Sequence, residues 1–381
     1  MPQRRLIRQQ WEGIYAADFT LDGVRRRCRR LAEVLRANRW SCLVAYDTRF
    51  MAGQFAQYAY RALDALGIPV SFCATPAPFP AVELALEQRR ADVALLISAG
   101  NRPFWYSGMI ALAPPADRPL LEDGPLPLDD GAPQILFPPV GLDSGERAQV
   151  DVRGPYLEAL RNVVDVELIR RATLTVFVDA MNGTTSGYIP AALGEGGQTK
   201  AIEINREADS LFGRQPPQPT EAGLNRLRKL VKESDSHMGV ALSADGRALG
   251  VANNTGELLA PLDLALLLAR YLTRQYRQRG LVVVPPPAAA GASGGDTAGL
   301  RAWEDANGLK VELPPDPAAR IAELLAQDRN SLLIGITSGG EVTLGRYGAA
   351  PDAALVALVL IELAAREGSK LQTLVEQSKK T

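Results

Sequence analysis

The strongest constraint on this chain is the alternation of short apolar runs with longer amphipathic ones along most of its length. "SCLVAYD" (41–47) has strand character, and "RFMAGQFAQYAYRALDALG" (49–67) is apolar at helical spacing and stopped by Gly67. "IPVSFCA" (68–74) is the next predicted strand, and "FPAVELALEQRR" (79–90) a helix with Pro80 in its first turn. The strand Val93–Ile97 follows. Uninterrupted apolar strands separated by helices are what a sheet covered on both faces requires, so an α/β chain with largely parallel sheets is predicted.

The same grammar repeats. "GPYLEALRNVVD" (154–165) reads as a connecting helix, "LTVFVDAMNG" and "TKAIEIN" as strands, and "EAGLNRLRKLVKES" (221–234) as a helix. The strands "HMGVALS" and "ALGVANN" then flank a tight turn. A third run begins with the helix "PLDLALLLARYLTRQYRQ" (261–278), followed by the strand "GLVVVP" and the helix "TAGLRAWEDANG". It continues with "LKVELP", "DPAARIAELLAQD", "SLLIGIT" and a last helix starting at Asp352. The expectation is three consecutive α/β domains with mixed, largely parallel sheets, over 1–153, 154–260 and 261–381. Between them, 114–139 reads as surface loops with an edge strand "QILF". The Gly/Ala/Ser-rich stretch 288–295 lacks both phosphate-loop spacings and reads as a plain connection.

Composition narrows the function classes. With 42 basic and 43 acidic residues there is no global field to recruit nucleic acid or a membrane surface. Arg4, Arg5 and Arg8 form a local basic cluster, and Arg25, Arg26, Arg27, Arg29 and Arg30 read as a solvated helix face. Cys28, Cys42 and Cys73 show no C-x-x-C pattern, which suits buried thiols in a reducing cytoplasm. The first twenty residues hold no apolar core of the signal-peptide kind. The longest apolar run, Ala353 to Ala365, contains Glu362 and is too short to span a bilayer. His237 is the only histidine and reads as structural.

The landmarks fall into a known order. "DFTLDGVRRRC", "LVAYDTRFMAGQFAQYA", "IPVSFCATPAPFPAVELAL", "FVDAMNG", "NREADSLFGRQPPQP", "TSGGE" and "APDAALVALVLIELAA" together resemble the α-D-phosphohexomutase superfamily from about Leu6 onward. That resemblance implies phosphohexomutase-like domains I to III, and chemistry through a phosphoserine, a Mg²⁺ held by carboxylates, a glutamate on the sugar and a cationic phosphate socket. Aligned residue by residue, the chemistry is missing. The phosphoserine loop T-A-S-H-N-P aligns with Ser98, Ala99, Gly100, Asn101, Arg102 and Pro103, so Gly100 stands in the nucleophile slot. The metal loop D-G-D-A-D-R aligns with Ser243, Ala244, Asp245, Gly246, Arg247 and Ala248, leaving one of three carboxylates beside an arginine. G-T-D-G-W-R aligns with Ile7 to Glu12, which keeps Trp11 and puts Glu12 where an arginine belongs. The sugar-gripping G-E-E-S-G aligns with Gly335, Ile336, Thr337, Ser338 and Gly339, so both carboxylates are absent and Ser338, Gly339 remain as a remnant of the sugar loop. Asp47 and Arg49 are retained, as are Asn101 and Arg102 beside the slot; an Asp/Arg pair at a strand end can be kept for loop packing alone.

From these losses the expectation is a pseudoenzyme with no cofactor and no metal, lacking the family's fourth domain. It is expected to act in the cytoplasm by binding a protein, itself or another, through Phe104, Trp105 and Tyr106. The competing expectation is a phosphosugar or anion sensor using Arg49, Arg102 and Arg247; residual mutase activity with different chemistry ranks last.

Overall fold

A computed structural model of the chain describes residues 6–121, 149–287, 299–348 and 350–379. Arg4, Arg5, the strand "QILF" and the stretch 288–295 lie outside the described residues. The order of elements is β1 (Ile7–Ile14), α1 (Leu21–Asn38), β2 (Cys42–Tyr46), α2 (Ala52–Ala65), β3 (Val70–Cys73), α3 (Phe79–Glu87), β4 (Val93–Ile97), β5 (Tyr106–Ala113) and β6 (Gln149–Val150). Then come α4 (Arg153–Val163), α5 (Val166–Arg171), β7 (Thr175–Asp179), α6 (Tyr188–Leu193), β8 (Lys200–Ile204), α7 (Asn225–Glu233), β9 (Met238–Leu242) and β10 (Leu249–Asn253). The rest is α8 (Pro261–Tyr276), β11 (Leu281–Val283), α9 (Leu300–Asn307), β12 (Lys310–Glu312), α10 (Pro317–Gln327), β13 (Leu332–Ile336), β14 (Val342–Thr343), α11 (Ala353–Glu367) and α12 (Leu371–Lys379).

These strands form three sheets: β1-β5-β4-β2-β3-β6, β10-β9-β7-β8 and β12-β11-β13-β14. Each is parallel in its interior, with antiparallel pairs toward one edge: β1/β5 and β4/β5, then β9/β10, then β13/β14. The fold is therefore α/β with mixed, largely parallel sheets. Chain contacts divide it into two compact units. The first comprises residues 1–156 with 182–184 and 207–217, and the second holds the remainder, including the second and third sheets.

Local chemistry explains the elements. Helix α1 starts because Thr20 accepts the Gly23 N–H at 3.1 Å, and Asp22 in its first turn pairs with Arg25 and Arg26. Its stripe Val24, Cys28, Leu31 and Leu35 is buried at helical spacing against the first sheet's core. Burying each such aliphatic side chain contributes about 1.5–3 kcal/mol. The arginine run is not the solvated face expected: the Arg25 and Arg26 side chains are only 11% and 13% exposed. Arg27 is buried, with its guanidinium 3.5 Å from the centre of the Trp11 ring. Helix α11 begins at Asp352, whose side chain accepts the Leu355 N–H at 2.9 Å, and ends at Gly368 in left-handed conformation. Residues Ala353 to Ala364 are buried all round, as a central helix requires.

The three cysteines are buried, and desolvation pushes the Cys42 and Cys73 thiols up to about 12, with Cys28 also raised. They are packing residues. His237 accepts the Thr175 N–H on Nδ1 at 3.2 Å at the start of the second sheet, a structural use. Among the described residues no helix is long and apolar enough to cross a membrane.

Candidate functional site

The loop at Gly100 belongs to the first unit. It is the connection of a β-hairpin, because β5, which the periodicity did not single out, begins at Tyr106 and pairs back onto β4 from Ile97/Met109. The backbone turns left-handed at Gly100, with φ 56°, a conformation glycine adopts at no steric cost. Ser98 caps the turn by accepting the Gly100 N–H on Oγ at 3.0 Å. Neither Ser98 nor Ser107, the nearest hydroxyls, bonds a histidine or a carboxylate. Ser107 Oγ and Asn101 Oδ1 are buried without a hydrogen-bond partner.

Arg49 holds the loop's shape. Its backbone N–H donates to Asp47 Oδ1 at 2.9 Å, and its Nε donates to Asp47 Oδ2 at 3.1 Å. Its two terminal nitrogens donate to the carbonyls of Gly100 (2.7 Å), Arg102 (2.7 Å), Pro103 (2.9 Å) and Tyr106 (3.0 Å). All five guanidinium N–H groups are thus committed, four of them to loop carbonyls. The Phe212 ring lies 5.1 Å from the same guanidinium. Phe212 comes from the "NREADSLFGRQPPQP" segment, where Asp209 shapes the turn by accepting the Leu211 and Gly213 N–H groups, bonds that hold its carboxyl below the usual range. Arg102, half-exposed, forms an ion pair with Glu12. Arg102, one of the arginines of the sensor reading, is thus charge-paired with the glutamate that stands where the resemblance implies an arginine. Trp105 is 48% exposed, with Phe104 packed edge-on against it at 4.9 Å.

The turn 243–248 belongs to the second unit and joins β9 to β10. Ser243 is buried; its Oγ donates to Asp245 Oδ1 at 2.7 Å and accepts the N–H groups of Arg247 and Ala248. Arg247 Nε donates to Asp245 Oδ2 at 2.8 Å, and its Nη1 reaches Glu341 Oε1 at 2.7 Å. Both side chains of the Asp245–Arg247 pair are 5% exposed. Burial pushes the Asp245 carboxyl up, but the charge of Arg247 and the bonds from Ser243 and Arg247 outweigh it and hold the group below the usual range. Glu341 closes the "TSGGE" landmark, and its pairing with Arg247 was not read from the sequence because the two lie far apart along the chain.

The family resemblance implies a divalent cation at this turn, and the residues present do not fit one. The guanidinium itself sits between the two carboxylates, and among the described residues no group of three or more His, Cys, Asp or Glu side chains converges. Ser338 and Gly339 are exposed in the turn between β13 and β14. With Leu224, Leu249, Leu258 and Ile336 they line a groove of about 360 Å³ that has no charged residue in its walls.

Comparison with known proteins agrees with this architecture. The family profile for phosphoglucomutase/phosphomannomutase, alpha/beta/alpha domain I, matches residues 7–123, and that for domain II matches 154–256. A phosphoglucomutase/phosphomannomutase of Thermococcus kodakarensis is 27% identical over 304 residues, covering 79% of this chain and 63% of the relative. A phosphoglucosamine mutase of Chromohalobacter salexigens is 26% identical over 351 residues, covering 90% of this chain and 72% of the relative. The chain thus spans between about three-fifths and three-quarters of those two lengths. Among solved structures, one from Thermus thermophilus superposes with a TM-score of 0.80 at 21% identity, over 97% of this chain and 82% of its own. With two domain profiles matching more than half of its residues between them, the chain belongs to the α-D-phosphohexomutase superfamily.

Proposed function

We propose that this phosphohexomutase-like protein is non-catalytic and acts in the cytoplasm through protein contact, most simply with a second copy of itself. The observation that carries this reading is the state of the loop at Gly100. The slot offers only backbone, and Arg49 is committed to four loop carbonyls rather than to a ligand. The sensor reading loses support for a related reason. Arg49 and Arg247 are buried on internal partners, and the exposed Arg102 is paired with Glu12.

An apolar patch in the first unit supports the contact reading. Large hydrophobic side chains exposed among the described residues are Ile14, Phe50, Trp105 and Ile202, and three of the four lie close together. Ile14 pairs with Tyr106 across the β1/β5 ladder, the next residue, Tyr15, donates its N–H to the Trp105 carbonyl, and the Tyr15 ring packs on Phe50 at 5.3 Å. Apolar clusters of this kind mark contact surfaces, with aromatics as anchors.

Two measurements test the proposal. Pure protein given glucose 1-phosphate or mannose 1-phosphate with Mg²⁺ is expected to form no 6-phosphate, and enzyme-dependent conversion overturns the reading. Light scattering at low micromolar concentration is expected to show a species heavier than the 41.0 kDa chain. The double variant Phe50→Ser, Trp105→Ser is expected to return it to a monomer with an unchanged melting temperature.

A further inference from the structure

We infer that Arg247 is a tethered cation: its guanidinium takes the place between Asp245 and Glu341 that a divalent ion would occupy, and locks the β9–β10 turn onto the β13–β14 turn without metal. The inference rests on the geometry of the second unit and stands whether or not the chain is catalytic.

Three sets of contacts carry it. First, the guanidinium bridges two carboxylates from different sheets, with Nε 2.8 Å from Asp245 and Nη1 2.7 Å from Glu341. A planar fork with fixed donors suits this two-sided arrangement, where a lysine would present a single point charge. Second, the oxygens around it form a preorganised cage. Ser243 Oγ orients Asp245 Oδ1, and the Arg247 and Ala248 N–H groups fix Ser243 in turn. Third, the backbone joins the same elements. Leu249 donates to the Gly340 carbonyl at 3.0 Å, Val342 to the Arg247 carbonyl at 3.3 Å, and Ala353, the first residue of α11, to the Gly246 carbonyl at 3.0 Å. The charge pairs and the backbone bonds converge on one joint between the second and third sheets, with the guanidinium at its centre.

An ion free in solution would make this joint depend on metal concentration; a cation on the chain removes that dependence. The wild-type melting temperature is therefore expected to be the same in chelator and in millimolar Mg²⁺ or Mn²⁺. Arg247→Ala leaves the buried Asp245 carboxylate and the partly exposed Glu341 carboxylate uncompensated, and the melting temperature is expected to fall by roughly 6–15 °C. Because the vacated cage keeps Asp245, Glu341 and Ser243, millimolar Mn²⁺ or Mg²⁺ is expected to raise the melting temperature of Arg247→Ala. The same ions are expected to leave the double variant Arg247→Ala, Asp245→Asn unchanged. Saturable metal stabilisation of the wild type, an undiminished melting temperature in Arg247→Ala, or a destabilised Arg247→Ala that ignores metal each overturns the inference. Should Arg247→Ala not fold, Arg247→Lys carries the test. It is expected to melt below the wild type and to show no metal response, and a wild-type melting temperature would refute the bridging role.

Discussion

The loop at Gly100 and the turn at Arg247 are built on the same three-residue device used to different ends. In Asp47-Thr-Arg49 and Asp245-Gly-Arg247 the arginine N–H donates to one carboxylate oxygen, at 2.9 and 3.2 Å, and its Nε to the other, at 3.1 and 2.8 Å. Beyond that shared clasp they diverge. Arg49 directs its remaining donors at carbonyls of one hairpin loop, so it fixes a local shape. Arg247 directs Nη1 at a carboxylate from another sheet, so it fixes a joint. A buried arginine in a family's site region is thus no sign of anion binding until its donors have been accounted for.

Removing the first clasp breaks the comparison at its strongest point. Arg49→Ala leaves Asp47 buried without its cation and four carbonyls without their donor. The expected loss is about 3–5 kcal/mol, at the upper end of that range. Chemical denaturation followed by Trp fluorescence measures it; a loss below about 1 kcal/mol would mean that the loop holds itself.

The second clasp can be sharpened by pH. Asp245→Asn keeps the shape but weakens charge-assisted bonds, for an expected loss of about 1.5–3 kcal/mol at neutral pH. The Asp245 carboxyl is held below its unfolded value of 3.8, so its contribution is present above that value and lost as pH falls below it. The stability gap between wild type and Asp245→Asn is expected to stay constant from neutral pH to about 5 and to close below 3.8. A gap that widens with acid would reverse the assignment.

The smallest effect is expected outside both clasps. Glu12 and Arg102 form an ion pair whose arginine is 56% exposed. Glu12→Gln is expected to cost no more than about 1 kcal/mol and to matter less at high salt. A double-mutant cycle with Arg102→Gln reads the coupling directly; a coupling above about 2 kcal/mol would place this pair with the buried clasps.

What could be read from the sequence divides along the range of the interactions. Central strands were legible because β2 and β4 are continuous apolar runs, each following a helix, and α11 because Asp352 and Gly368 bracket it. Strand β5 was obscured because its start, Tyr106, continues an aromatic cluster that reads as a loop surface. Helices α5 and α6, six residues each, are too short for periodicity to register.

Residue identity was likewise readable: Gly100 in the hairpin loop and Asp245 beside Arg247 in the β9–β10 turn are plain in the sequence. The burial of Arg27 and the pairings Glu12–Arg102 and Arg247–Glu341 were not legible for one reason: a charged side chain's role depends on what stands opposite it. Local order determined the α/β pattern and the caps, because propensity, capping and residue identity act within a few positions along the chain. Tertiary structure alone decided that Arg27 stacks on Trp11, that Glu12 neutralises Arg102 and that Arg247 reaches Glu341. Those partners lie from 16 to 94 residues apart in sequence, and only folding brings their charges within hydrogen-bond or stacking distance.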